Sequence, residues 1–260
     1  MSTNPPPPPT ALFLFAHQDD EFGVFQKLMD ERQQGHRVCC AYLTDGGFGG
    51  ISPVRRNQES LAVLQKFGVK EPDVSFAGQA LSIPDGQLHG QLDAAASWID
   101  TWLTGFPNVT TIYVPAWEGG HHDHDALHAI VVLVAQMRGL RGQVRQFSLY
   151  NGYECVGQFF KVLNPLSLNG KPEKTLIAWR DRLRFLAYCL SYSSQAKTWL
   201  GLFPFVLLHY LTRGEQVLQS VSLERIRQRP HAGALYYESR RFFTWEQMVA
   251  KLSAFKLHSI

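Results

Sequence analysis

The chain has 260 residues, of which 45% are hydrophobic and 18% charged, a composition typical of a folded globular protein and not of a disordered one. The net charge of +3, without a Lys/Arg stripe interleaved with aromatics, gives no indication of nucleic-acid binding, and we expect none. Four cysteines without CxxC spacing predict reduced thiols and a cytoplasmic protein.

The N-terminal residues, MSTNPPPPPT, lack the basic start and long apolar region of a secretory signal. We therefore expect residues 1–10 to form a flexible proline-rich tail. The most apolar stretch, residues 198–211, is shorter than the roughly 20 residues of a membrane span and contains Pro204. We predict no transmembrane segment and a buried helix pair here, with a membrane-facing or lipid-accepting surface as the alternative.

Residues 11–21, ALFLFAHQDDE, change abruptly from an apolar run to one imidazole and three carboxylates. An apolar run of this length fits the central strand of a parallel sheet, which is covered on both faces. Ligands of open α/β sheets gather at the carboxyl ends of such strands. The sequence therefore predicts a metal site directly after the first strand.

Strands and helices alternate along the first 150 residues, with Gly35 and Gly68 as helix stop signals and Pro53 as a helix start. Alternation of this kind predicts an α/β fold, a Rossmann-like and mostly parallel sheet flanked by helices. The predicted strands lie at 11–16, 38–43, 74–76, 111–115 and 146–150, and the predicted helices at 21–34, 53–67, 92–103 and 125–137.

Beyond residue 152 the alternation weakens, which divides the chain into an α/β core over 11–151 and a C-terminal helical cap over 152–260. In the cap, the spacing of apolar residues predicts helices over 176–190, 200–211 and 245–252 and a strand over 234–238.

Two segments carry metal-binding chemistry. His17 and Asp20 follow the first strand, and residues 118–128, EGGHHDHDALH, follow the fourth. Catalytic zinc has three protein ligands and an open position, which His17, Asp20 and one histidine of the second segment would satisfy. Asp19 is free to act as a base, His121 to support an oxyanion, and Asp123 to hydrogen-bond an imidazole. Neither GxGxxG nor a GK[ST] loop is present, so we expect no nucleotide cofactor.

AHQDDE at 16–21 and HHDH at 121–124 resemble the AHPDDE and HPDH motifs of the PIG-L/LmbE family of zinc-dependent N-deacetylases. LTDGG at 43–47, the spacing of Arg56 and Glu59 ahead of FGV at 67–69, and IPDG at 83–86 extend the resemblance over about the first 150 residues. Gln18 and His122 stand where the family usually has proline. Loss of proline loosens a turn and removes no ligand, although His122 adds an imidazole that could also bind metal.

The resemblance implies one zinc ion, or another divalent metal, bound by His17, Asp20 and His124, with Asp19 as general base and His121, protonated, stabilising the oxyanion. It also implies that Arg56 and Asp85 contact the substrate. Asp45 is assigned either to the substrate or only to its Gly-rich turn, whose glycines supply the positive φ that turns require. We expect His128 to occupy a solvated helix position.

The function this implies is removal of an acetyl group from the 2-amino group of an N-acetylglucosamine-type sugar, a small molecule that could be lipid-linked. A lipid-linked sugar would place the protein at the periphery of a membrane. The alternatives are an amidase that cleaves another acyl group from a sugar conjugate, and a non-catalytic sugar-binding or metal-binding module.

Overall fold

The computed structural model describes residues 6–157 and 159–255; residues 1–5 of the expected tail lie outside these ranges. The strands are β1 Thr10–Phe15, β2 Arg37–Tyr42, β3 Val74–Ser75, β4 Val109–Pro115, β5 Val144–Phe147, β6 Tyr150–Asn151, β7 Lys161–Val162, β8 Glu173–Leu176 and β9 Glu215–Ser220. The helices are α1 Phe25–Gln33, α2 Pro53–Lys66, α3 Ala77–Ala80, α4 Leu92–Thr104, α5 His122–Met137, α6 Trp179–Cys189, α7 Ala196–Thr212, α8 Tyr236–Ser239 and α9 Trp245–Ala254.

The main sheet has seven strands in the order β3-β2-β1-β4-β5-β9-β8. The first five run parallel, and β9 and β8 add to the β5 edge in antiparallel pairing. The order 3-2-1-4-5 is that of a doubly wound fold, whose ligand site lies where neighbouring strands lead to opposite sides of the sheet. Here that point lies between the carboxyl ends of β1 and β4. The expected fold class is confirmed.

The first strand is buried on both faces because the two layers of helices cover it. Leu12 and Leu14 pack into the core beneath α4 and α5, whereas Phe13 and Phe15 pack with α1, α2, α6 and α7. Successive side chains of a strand point to opposite faces, so a run of apolar residues satisfies two cores at once. This double burial fixes the position of the polar residues that follow Phe15.

The C-terminal region departs from the expected helical cap. Residues 173–176 and 215–220 form β8 and β9 and complete the central sheet. The strand expected over 234–238 is wrong, because residues 236–239 form the short helix α8. The Glu238 carboxylate caps α8 by accepting a hydrogen bond from the Leu235 N–H at 2.8 Å. It also accepts from the N–H of Trp245, the first residue of α9, at 3.0 Å. No helix of the described residues has the length and apolar character needed to cross a membrane.

Two further boundaries differ from expectation near the site. Helix α5 begins at His122 and not at Asp125, because the His121 side chain accepts a hydrogen bond from the Asp123 N–H and caps the helix. The strand expected over 146–150 ends at Phe147, and Tyr150 pairs instead with Val162 in a separate two-stranded sheet.

Candidate active site

Three metal-ligating side chains converge at the carboxyl ends of β1 and β4. The His124 Nε2 atom lies 3.0 Å from Asp20 Oδ1 and 3.2 Å from His17 Nδ1. His17 Nδ1 lies 3.7 Å from Asp20 Oδ2. All three residues are buried. The two sequence segments, 107 residues apart at His17 and His124, therefore meet as the sequence predicts.

The turn after β1 holds Asp20 in this cluster. Its Oδ2 atom accepts hydrogen bonds from the backbone N–H groups of Ala16 and His17, at 3.0 and 2.8 Å. These bonds fix the carboxylate before any ligand arrives. Although burial alone would raise the pKa of Asp20, His124 and His17 lower it well below its ordinary value. The side chain is therefore an anionic carboxylate at neutral pH.

The cluster fits a divalent ion such as zinc. Ligand atoms around tetrahedral zinc, with bonds of about 2.0–2.1 Å, lie about 3.3 Å apart, which is close to the separations found here. His17 Nε2 also lies 3.1 Å from Asp123 Oδ2 and 3.3 Å from Asp85 Oδ1. Burial alone would lower the pKa of His17, but Asp85, Asp123 and Asp20 raise it well above its ordinary value. The surrounding carboxylates thus favour positive charge at this position.

The expected base, Asp19, lies beside the cluster in a conformation that L-residues rarely adopt. Its φ is 112°, in the left-handed half of the backbone map, and its N–H donates to Glu21 Oε2 at 2.8 Å. Burial raises the pKa of Asp19 to about 8, a rise that Arg56 opposes and that Asp20 and Glu21 increase. A buried carboxylate that is not needed to hold an ion is suited to proton transfer.

Arg56 connects the loops around the site. One Nη atom donates to Gly46 O at 2.8 Å and Asp85 Oδ2 at 2.9 Å, and the other donates to Gln18 O and to Asp19 Oδ1 at 3.3 Å. The side chain is only 3% exposed. These contacts give Arg56 a positioning role, and its expected contact with substrate stays a prediction.

Asp85 and Asp45 lie on two loops that Arg56 reaches. Burial alone would raise the pKa of Asp85, but His17 and Arg56 hold it below its ordinary value. Asp85 is half-buried and lies beside the cluster, with Oδ1 3.3 Å from His17 Nε2. Its expected contact with the substrate stays a prediction. The Asp45 side chain accepts a hydrogen bond from the Gly47 N–H at 2.7 Å. This is the bond of an Asx-turn, the structural alternative that the sequence left open.

His121 and Asp123 at the start of α5 complete the arrangement. The His121 ring centroid lies 4.5 Å from that of His17, and its Nδ1 accepts from the Asp123 N–H at 3.2 Å. With Nδ1 as acceptor, the proton of the neutral ring is on Nε2. Burial lowers the pKa of His121, as do the nearby imidazoles. Both observations favour a neutral His121 ring with its proton on Nε2, and the expected role of His121 at the oxyanion stays a prediction.

A comparison with family models matches residues 12–135 to the family described as PIG-L: GlcNAc-PI de-N-acetylase. Residues 12–135 are a PIG-L family domain. The family resemblance and the enzyme class that it implies, a hydrolytic N-deacetylase, are confirmed by this match. A comparison with curated proteins found no match.

Solved structures share the fold of this chain at low sequence identity. The A40926 pseudoaglycone deacetylase Dbv21 has a TM-score of 0.60 and 20% identity, with 86% of this chain and 98% of that chain covered. A triple mutant of a deacetylase of the teicoplanin biosynthetic pathway has a TM-score of 0.62 and 18% identity, with 82% and 98% covered. The N,N'-diacetylchitobiose deacetylase from Pyrococcus horikoshii has a TM-score of 0.57 and 13% identity, with 82% and 83% covered.

The departures from the PIG-L motifs have structural compensations. Gln18, which replaces the first usual proline, donates from Nε2 to Asn57 Oδ1 at 2.7 Å and so ties the turn to α2. His122, which replaces the second, lies 3.0 Å from Gly86 O through Nε2 and stays outside the His17 cluster. The expectation for His128 is wrong. It is buried, with Nδ1 2.9 Å from Pro115 O, because α5 packs directly on β4.

Sequence reasoning gave no role to three residues that shape the candidate site. Glu21, the last residue of AHQDDE, is fully buried and accepts from Tyr42 OH and the Asp19 N–H. Glu118 accepts from the N–H groups of Leu149 and Tyr150 at 2.6 and 3.0 Å and so holds the loop beside the site. Tyr150 lies with its ring centroid 5.7 Å from that of His124. Glu21 and Glu118 could have been found in the sequence as acidic residues that follow predicted strands. No feature of the sequence distinguishes Tyr150.

Proposed function

We propose that this protein removes the acetyl group from the 2-amino group of an N-acetylglucosamine-type sugar, with one divalent ion held by His17, Asp20 and His124. The observation that carries the proposal is the convergence of His17 Nδ1, His124 Nε2 and an Asp20 oxygen, with the Asp19 carboxylate beside them. The family description supports acetyl as the acyl group and glucosamine as the amine.

A bound zinc ion would supply a water of lowered pKa, from 15.7 to about 7, and would polarise the amide carbonyl. In the step that follows, the Asp19 carboxylate accepts a proton from the attacking water as its oxygen bonds to the amide carbon. His121 Nε2–H donates to the amide oxygen as that oxygen gains negative charge. Asp19 then returns the proton to the amine nitrogen as the carbon–nitrogen bond breaks, which yields free amine and acetate.

The position of Asp19 makes this proton transfer feasible. Arg56 holds its Oδ1 atom, and the Glu21 carboxylate holds its backbone, so the side chain enters the reaction with little freedom to lose. The raised pKa, about 8, also makes the carboxylate a stronger base than an exposed aspartate. A positive ion at the cluster would lower the pKa of Asp19 towards 7.

The direct test is metal analysis together with acetate release. Protein freed of metal and reloaded with zinc is expected to bind one tight equivalent and to release acetate from one or more of a panel of N-acetylated amino sugars. His124→Ala is expected to lose both properties, whereas His36→Ala, which changes a half-buried imidazole remote from the cluster, keeps them. Stoichiometric metal without hydrolysis anywhere in the panel would instead support a non-catalytic module.

The acyl group is a separate question with a separate assay. Substrates that differ only in the N-acyl chain, from acetyl to longer acids, distinguish a deacetylase from an amidase of other acyl groups. A preference for a long acyl chain would overturn the acetyl assignment while leaving amide hydrolysis intact.

An apolar and basic surface supports a lipid-linked sugar and a peripheral membrane location. Seven of the fifteen exposed large apolar side chains among the described residues lie between 176 and 211, on or beside α6 and α7. Residues 176–213 contain five Lys or Arg and one acidic residue. Helices with exposed leucines and basic residues bind anionic lipid surfaces. Aromatic side chains connect this surface to the site, since Phe205 of α7 contacts Phe160, which contacts Tyr150.

Binding to lipid vesicles tests this surface. We expect binding to vesicles that contain an anionic phospholipid and little binding to zwitterionic ones. Leu183→Glu and Leu200→Glu are expected to weaken it, whereas Val249→Glu, an equivalent change on the exposed face of α9, is a matched control. Equal binding by all three variants would refute the role of α6 and α7. The four free thiols fit a reducing compartment, and the cytoplasmic location stays a prediction.

A further inference from the structure

A second group of metal-ligating side chains lies outside the His17 cluster. One nitrogen each of His89 and His122 and one oxygen of Asp123 lie within 4.8 Å of one another. The ring centroids of the two histidines are 5.4 Å apart. These residues come from the short turn Leu88–Gly90 and the first turn of α5, two segments that the proposed deacetylation does not use for ion binding.

Two nitrogen atoms in this group have no partner. His89 Nδ1 and His122 Nδ1 are buried and lack a hydrogen bond within residues 6–157 and 159–255. His122 Nε2 lies 3.0 Å from Gly86 O and donates to it, so the lone pair of the neutral ring is on Nδ1. Buried polar atoms without partners are rare in folded proteins, and an ion is one of the few groups that satisfies them. The orphaned nitrogen atoms therefore point to a bound cation.

The group is placed so that an ion can reach it. His122 is buried, but His89 is only half-buried and lies on a turn beside solvent. The spread of 4.8 Å exceeds the separation of about 3.3 Å around zinc, so one ring must move inwards. His89 can make that movement because its Nδ1 forms no hydrogen bond that would be broken. Burial keeps the pKa of His89 below its ordinary value, with His122 adding to the effect, so its imidazole is neutral and able to bind metal at pH 7.

We propose that His89, His122 and Asp123 form a second divalent-cation site, separate from the His17 cluster. Two imidazoles and one carboxylate are borderline-soft ligands that suit Zn²⁺ or Co²⁺ more than Mg²⁺ or Ca²⁺. His122 stands where the PIG-L motif usually has proline, so this site is a property of this chain's own sequence. The proposal does not depend on deacetylation.

The two sites share one carboxylate. Asp123 Oδ2 lies 3.1 Å from His17 Nε2, and Oδ1 accepts from the Leu88 N–H at 3.0 Å, which leaves a lone pair on Oδ1 for a second ion. Two dications separated only by an imidazole and a carboxylate repel each other, and Lys251 adds a further positive charge near His89. Binding is therefore expected in two steps, with the His17 cluster filled first and the second site filled more weakly.

The test is a titration of metal-free protein with Co²⁺, followed by visible absorption and by equilibrium dialysis. The full chain is expected to bind two equivalents in a tight and a weak step. His89→Ala and His122→Ala should each weaken the second step by at least about tenfold, since even partners of metal ligands are worth 10–100-fold in affinity. Asp20→Ala should remove the tight step and keep one equivalent. His36→Ala is the matched control and should bind both.

The outcomes separate this proposal from the proposed function. A chain that binds one equivalent, lost in Asp20→Ala and unchanged in His89→Ala, overturns the second site and leaves the deacetylase. A chain that binds one equivalent, unchanged in Asp20→Ala and lost in His89→Ala, supports the second site and removes the proposed function. Because His89 is only half-buried and its Nδ1 makes no hydrogen bond, its replacement is expected to leave folding unchanged, so the test holds even where His122→Ala perturbs the start of α5.

Discussion

Replacement of Asp19 by Asn tests the proposed reaction most directly, because the change removes a base and little else. Asn keeps an oxygen that accepts the Arg56 hydrogen bond, which is 3.3 Å long to Asp19 Oδ1 in the parent protein. It also tolerates a φ of 112°, since Asn is among the residues enriched in left-handed conformations. The variant is therefore expected to fold and to bind metal as the parent does.

The loss of turnover follows from the role of the base. A positioned general base contributes about 10²- to 10⁴-fold, which corresponds to about 2.7–5.5 kcal/mol in the activation free energy. Stability should not fall, because burial raises the pKa of Asp19 to about 8, which shows that the site favours a neutral side chain, and the amide is neutral at every pH.

The assay measures acetate release from the best substrate of the panel, with metal content determined on the same samples. Asp73→Asn is the matched control, because it makes the same chemical change at a residue that pairs with Arg37, remote from the site. Wild-type turnover by an Asp19→Asn variant that carries its metal would refute the assignment of the base.

Three further predictions concern the surroundings of the site. Burial raises the pKa of Asp125 from 3.8 to about 8, so the protonated side chain contributes stability at low pH and this contribution is lost as pH rises towards 8. We expect Asp125→Asn to reduce the fall in Tm over this pH range. An unchanged dependence of Tm on pH would contradict the prediction. Arg56→Lys replaces a planar fork by a single ammonium, so we expect kcat to fall about 10²-fold with KM little changed, whereas a rise in KM alone would indicate direct substrate contact. Removal of metal by a chelator should lower Tm, since an ion at 100 times its Kd stabilises the fold by about 2.7 kcal/mol; an unchanged Tm would argue against a resident ion.

The amino-acid sequence determined the parts of this protein that depend on local chemistry. The apolar run of β1, its abrupt end at His17, and the cluster of histidines after β4 each have a signal within a few residues. Because parallel strands place their carboxyl ends at one edge of a sheet, these signals also predicted that His17, Asp20 and His124 would meet. The family motifs lie in the same segments.

Only the tertiary structure decided what depends on contacts between distant segments. Arg56 reaches Gln18, Asp19, Gly46 and Asp85 because α2 and two loops pack together, and no spacing in the sequence encodes that arrangement. His121 accepts a hydrogen bond because it caps α5, and His128 is buried because that helix lies on β4. The strands β8 and β9 were missed for the same reason: pairing with β5 stabilises them, and their own residues carry only a weak pattern.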